Sequence, residues 1–133
     1  MGKLCPILFC FAFLIGCSEE EPRPEDALGT GRLFIRSLLD GEFKEADRLL
    51  YQDSFNQVAL KEFESVYRKR ISSKEKTASK KAAILIHQVE NVNDSVAIIY
   101  YSSSLQQQKK PLRIIRKNGI WQVDFYYAFS GNL

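Results

Sequence analysis

The chain has 133 residues and a formal charge of +3, from 19 Lys and Arg against 16 Asp and Glu. That length suits one domain with one modest core, and so small a charge does not by itself point to nucleic acid. A single His excludes a metal centre built on several histidines.

Residues Leu4 to Ile15 carry no charge, follow Lys3 and end at the small residue Gly16, the layout of an export signal. As a helix this run reaches about 18 Å. A bilayer core is about 30 Å thick, so the run is too short for a comfortable transmembrane helix. The segment Leu14-Ile15-Gly16-Cys17 resembles the lipobox of bacterial lipoproteins, which ends in a branched apolar residue, a small residue and cysteine. The resemblance implies diacylglycerol on the Cys17 thiol, cleavage before Cys17, and acylation, by palmitate for example, of the new amino end. One acyl chain holds a protein marginally, whereas two or more hold it stably, so the implied partner is a membrane reached through the lipid on Cys17. An ordinary secretory signal, with Cys17 near its cleavage site by coincidence, is the alternative. On the lipobox reading, residues 1–16 are signal peptide, 17–25 are lipidated cysteine and tether, and 26–133 are a single folded domain. Cys5 and Cys10 then leave with the signal and Cys17 is consumed, so no disulfide is expected.

Glu19, Glu20 and Glu21, followed by Pro22-Arg23-Pro24, form a charged and proline-restricted tether, expected to be extended, mobile and unable to bury anything. Its acidic start resembles the tag that sends some lipoproteins of Gram-negative bacteria to the outer face of the outer membrane. A plain soluble spacer is the other reading. The expected location is the cell envelope at the outer membrane, with the periplasmic or surface face left open.

Helical periodicity runs from Asp26 to Asp40 through Leu28, Ile35, Leu38 and Leu39, and Gly41 supplies a left-handed stop. Gly29 and Gly31 weaken its first turns. A second short helix reads Glu42 to Tyr51 and buries Phe43, Ala46 and Leu50. Asp53 or Ser54 caps a third, in which Phe55, Val58, Ala59, Phe63, Val66 and Tyr67 recur at three- and four-residue steps to make one apolar face. Residues Arg68 to Lys81 are basic and polar, without the interleaved aromatics that nucleic-acid binding needs, and read as a solvated helix end and loop. Contact with anionic lipid beside the anchor is their functional reading.

After Lys81 the period changes to two, and β-branched and aromatic residues take over. Strands are expected at Ala82 to Glu90, Ser95 to Leu105, Leu112 to Lys117 and Ile120 to Tyr127, with a turn at Asn91 to Asp94. Asn118-Gly119 is the preferred pair for a type I′ hairpin, since both positions need positive φ. Its register sets Lys117 against Ile120 and then, on the buried face, Arg116 against Trp121, Ile114 against Val123 and Leu112 against Phe125. The other face carries Arg113 against Asp124 and Ile115 against Gln122, and Arg116 can lie over Trp121.

Helices followed by an antiparallel meander define an α+β class, with N-terminal helices packed on one face of a curved antiparallel sheet. With the hairpin Lys117-Asn118-Gly119-Ile120-Trp121-Gln122-Val123, and with Leu38-Leu39-Asp40-Gly41-Glu42-Phe43, Ala46 and Leu49-Leu50, the chain resembles the cystatin-like or nuclear-transport-factor-2-like roll. It is similar in particular to small lipobox-bearing lipoproteins of unknown function. Enzymes on that roll place an Asp or His base beside tyrosines, which makes His87, Asp124 and Tyr126 the catalytic candidates and Tyr100, Tyr101 and Tyr127 the ligand-contact candidates. The plainer readings are a satisfied strand histidine, an Asp124 ion pair with Arg113, and tyrosines in the core or cavity wall. No nucleophile elbow, phosphate loop or metal cluster is present in the sequence, and no cofactor is expected. The leading functional expectation is a lipid-anchored, non-enzymatic binding or accessory module of the bacterial envelope, whose partner is an envelope protein or a small apolar ligand and not nucleic acid. The alternative is a small hydrolase or isomerase with His87 or Asp124 as base. A purely structural envelope component, the third class, would show an exposed apolar patch larger than a few hundred Å².

Overall fold

A computed structural model of the chain describes residues 22–131, together with Gly2. The rest of the expected signal segment and Cys17, with the lipidation assigned to it, lie outside the described residues. Among these residues, four α-helices pack with a four-stranded antiparallel sheet, an α+β arrangement. The helices are α1 (Ala27–Asp40), α2 (Phe43–Leu49), α3 (Ser54–Arg70) and α4 (Ser73–Lys81). The strands are β1 (Ile84–Asn93), β2 (Val96–Ser103), β3 (Lys110–Lys117) and β4 (Ile120–Asp124), paired in that order, and a 3₁₀ turn η1 (Phe125–Phe129) follows. No helix among the described residues is long and apolar enough to cross a membrane.

The domain is assembled around α1, which lies against all four strands. Asp26 caps it by accepting from the Gly29 amide at 2.6 Å, and Gly41, at φ 72°, ends it. Phe34, Ile35 and Leu38 point from α1 into a core completed by Ile99, Leu112, Ile114 and Val123 from the sheet. Gly31 is what lets the helix come so close, because a Cβ there would stand 2.4 Å from Ile99 Cδ1. The tether is less free than expected. Arg23 is half-buried and donates to the Arg48 carbonyl at 2.6 Å.

The hairpin expected at Asn118-Gly119 forms in the expected register, with φ of 52° and 75° at the two turn residues. Arg113 pairs with Asp124, and the Arg116 guanidinium lies 5.8 Å from the Trp121 ring centre. The fourth strand, however, stops at Asp124 instead of running to Tyr127, so the Leu112–Phe125 pair does not form. The Tyr126 amide is diverted to Asn56 Oδ1 at 2.8 Å, and the chain curls into η1 with Phe125 still buried.

Other expectations are corrected by the structure. Residues 68–70 are the end of α3, as expected, but the stretch that follows is not a loop, because Ser72 and Glu75 form a reciprocal capping box that starts α4. Arg36 of α1 then holds the far end of α4 by donating to the carbonyls of Ala82 at 2.7 Å and Ser79 at 3.0 Å. The turn expected at Asn91 to Asp94 is shorter, since pairing continues to Asn93 and Val96. Strand β1 also bulges at His87, where Ile86 faces Tyr101 but Gln88 faces Tyr100. One extra residue reverses the alternation, so Ile84, Ile86 and Val89 pack on the core while Leu85 and His87 are exposed.

Candidate functional site: an open apolar cleft

The largest departure from the expected pattern is at α3. Its apolar stripe was expected to be the buried one, but the residues it buries are Asn56 and Leu60. Phe55 is 61% exposed and Val58 54%, while Phe63 and Val66 are exposed as well.

A polar strap sets this rotation. Asn56, only 1% exposed, donates from Nδ2 to Asp124 Oδ1 at 3.2 Å and to Asp53 Oδ1 at 3.0 Å, and accepts from the Tyr126 amide at 2.8 Å. Asp53 also caps the helix by accepting from the Asn56 amide at 2.7 Å. Turning α3 to bury Phe55 and Val58 would break these bonds and leave buried polar groups without partners. The same strap fixes the start of η1, which brings Tyr126 and Phe129 to the surface beside α3. The Phe55 and Tyr126 rings are 5.1 Å apart.

Between α3 and η1 lies an open cleft of about 530 Å³ walled by Phe55, Val58, Phe63, Val66, Tyr126 and Phe129, with Glu62 as its acidic residue. Its floor joins the core through edge-on rings, Phe63 to Phe125 at 6.0 Å and Phe125 to Phe34 at 5.2 Å. The cleft does not end there. A second cavity of about 380 Å³ shares Phe63 and Phe129 and reaches Leu38, Tyr101 and Lys110, and a third of about 520 Å³ shares Phe63 and Val66. Phe63 is common to all three, so they adjoin around its ring as one groove, apolar beside α3 and polar towards Lys109 and Lys110.

The residues singled out from the sequence are dispersed around this groove. His87 sits exposed on its bulge in β1, with Nε2 2.7 Å from Ser102 Oγ. Asp124 is on β4, at the other edge of the sheet, so the two candidate bases are not brought together. Asp124 is bound to Arg113, whose Nε donates to Oδ2 at 2.9 Å, and to Asn56. Tyr100 donates to Glu90 Oε2 at 3.2 Å. Tyr127 lies under the Arg113 guanidinium, 4.7 Å from ring centre to Cζ. Only Tyr126 and Tyr101 reach the groove, one at each end. Burial pushes the Tyr101 phenol up to about 12. Among the described residues no group of three or more His, Cys, Asp or Glu side chains is placed to hold a metal ion.

Reasoning from the sequence missed Phe129 and Lys110 as groove residues and took Phe55, Val58 and Val66 for core. One available signal was the excess of aromatics after Asp124, where Phe125, Tyr126, Tyr127 and Phe129 cannot all fit in the core of so small a domain. Compared with protein-family models, with curated proteins and with solved structures, the chain matches none of them.

Proposed function

We propose that this chain is a lipid-anchored, non-enzymatic binding module of the bacterial cell envelope, held at the outer membrane through Cys17, and that the groove beside α3 is its binding surface. Its domain is read as a roll of the cystatin-like or nuclear-transport-factor-2-like kind, on the order of its helices and meander. The lipobox residues Leu14 to Cys17 support the anchor. The observation that carries the binding reading is the open row of Phe55, Val58, Phe63, Val66, Tyr126 and Phe129. Contiguous apolar surface of this kind marks interaction sites on small domains.

Two experiments test the reading. Replacing Cys17 by Ser should leave the precursor unprocessed and free of lipid label; continued maturation of that variant would favour an ordinary secretory signal. Benzoylphenylalanine placed at Val58 in the full chain should crosslink to a molecule in intact envelopes, while the same probe at exposed Val92 of β1 should not. Equal yields at the two positions would remove the binding role of the groove.

A further inference from the structure

Past Phe63 and Phe129 the groove changes character. Tyr101 of β2 and Lys110 of β3 are cross-strand partners, and both line the second cavity. Lys110 is half-buried, its ammonium donates to Gln106 Oε1 at 2.7 Å, and no carboxylate among the described residues forms an ion pair with it. Burial lowers its pKa from the ordinary lysine value, as expected of a desolvated cation with no counter-ion. The Tyr101 hydroxyl has no hydrogen-bond partner among the described residues, and a phenol is a donor at neutral pH. Two donors, one of them cationic, therefore stand side by side at the polar end of the groove, where Ser102, Gln106 and a second cation, Lys109, also line the wall.

The groove also has a length. At a rise of about 1.5 Å per residue, Phe55 and Phe63 are separated along α3 by about 12 Å, and the second cavity continues past Phe63 to Tyr101 and Lys110. One leaflet of a hydrocarbon core about 30 Å thick is about 15 Å deep, the reach of one acyl chain, so a tail that starts beyond Phe63 is of a length to end near Phe55.

We propose that the groove binds a single-chain amphiphile with an anionic head, its carboxylate or phosphate on Lys110 and Tyr101 and its acyl tail laid over Phe63 and Phe129 towards Phe55. The proposal rests on the reading of the groove as a binding surface and names what fills it. A carboxylate or phosphate supplies the counter-ion that Lys110 lacks, and a charge-assisted hydrogen bond in a half-buried site is stronger than one in water. A fatty acid and a lysophospholipid share this chemistry.

The test uses isolated envelopes from bacteria expressing the full chain, photolysed with palmitate that carries a diazirine at the end of its tail. The label should map to α3 and η1, and palmitate or lysophosphatidate should compete for it at concentrations at least about tenfold below those of palmityl alcohol, the ratio expected for one charge-assisted hydrogen bond. Whichever of the two anionic competitors acts at the lower concentration identifies the head group. Exchanging Lys110 for Gln and Tyr101 for Phe together should reduce labelling by a similar factor, and Lys110→Arg should retain it. A circular dichroism spectrum and urea midpoint of the double variant matching those of the parent chain show that the loss is not one of folding. Equal competition by the alcohol, or labelling unchanged in the double variant, would overturn the amphiphile while leaving an apolar binding surface in place. Absence of lipid label together with a Val58 crosslink to a protein, a second copy included, would overturn it in favour of a protein occupant. Absence of lipid label and of any Val58-specific crosslink would overturn both readings.

Discussion

Helices α1 and α3 have the same kind of pattern and opposite fates. Each carries large apolar residues at three- and four-residue steps. In α1 that stripe is the core, with Phe34, Ile35 and Leu38 buried against the sheet. In α3 the stripe is left open at Phe55, Val58 and Val66 although Ala59 and Tyr67 pack on the core, and a buried asparagine takes an inward position beside Leu60. A periodic apolar face therefore states that a helix has a partner, and leaves unsaid whether that partner belongs to the same chain. What separates the two helices is the polar content of the inward line. On α1 the inward Thr30 and Ser37 satisfy themselves by donating to the carbonyls of Asp26 and Leu33 in their own chain segment. On α3 Asn56 reaches across to Asp124 and Tyr126, and this long-range strap decides the rotation.

The comparison breaks most severely if the core stripe is dispensable. Phe34 is fully buried and packed edge-on against Phe125 at 5.2 Å. Its replacement by Ala is expected to lower the unfolding free energy by about 3–5 kcal/mol, from lost burial plus the cavity left behind. Urea denaturation followed by Trp121 fluorescence measures this, and a loss below about 1 kcal/mol would mean that α1 does not organise the core.

Next in size is the strap. Asn56→Ala leaves the Tyr126 amide and Asp124 each short of a partner, at a cost of about 1–3 kcal/mol. The Tyr126 amide should also lose protection from hydrogen exchange by more than the global loss of stability explains. Unchanged protection there would show that η1 is held by its aromatic contacts, and that Asn56 does not set the wall of the groove.

Gly41 comes third, where the end of α1 meets α3. Its φ of 72° and the Tyr67 hydroxyl, 2.6 Å from where a Cβ would stand, both oppose a side chain. Gly41→Ala is expected to destabilise by about 1–2 kcal/mol from the left-handed backbone alone. A neutral result in thermal unfolding would show that the two helix ends shift easily against each other.

The ease of reading each feature followed the range of the forces behind it. Local chemistry was legible. Asn118-Gly119 specified a hairpin to the residue, and Asp26, Asp53 and Gly41 marked helix ends where caps are found. The capping box of Ser72 and Glu75 was equally local, but α4 buries none of its residues, so the apolar signal that usually accompanies a helix was absent. Features made by distant partners were not legible. The His87 bulge exists only relative to β2, and the rotation of α3 depends on groups 68 and 70 residues away. The pairing of Lys110 with Tyr101 depends on the β2–β3 register, which no short turn pins as Asn118-Gly119 pins the last hairpin. The α+β class thus followed from local pattern, while the groove emerged only from contacts between elements.

The smallest expected effect is the one that most sharpens the contrast. Exposed residues outside special sites shift stability by about 0.5 kcal/mol or less when replaced. Phe55, 61% exposed, and Val58, 54% exposed, should therefore be exchanged for Ser together with little change in the urea midpoint, although Phe34 in the matching stripe of α1 is indispensable. What should change is the surface. Binding of an environment-sensitive naphthalene sulfonate dye should fall several-fold in the double variant, because two walls of the cleft are removed. A large loss of stability with dye binding unchanged would mean that the stripe on α3 is satisfied within the chain, and that α1 and α3 do not differ in what covers their apolar faces. Lost dye binding at constant stability would mean that these side chains contribute to an encounter with another molecule and almost nothing to the fold.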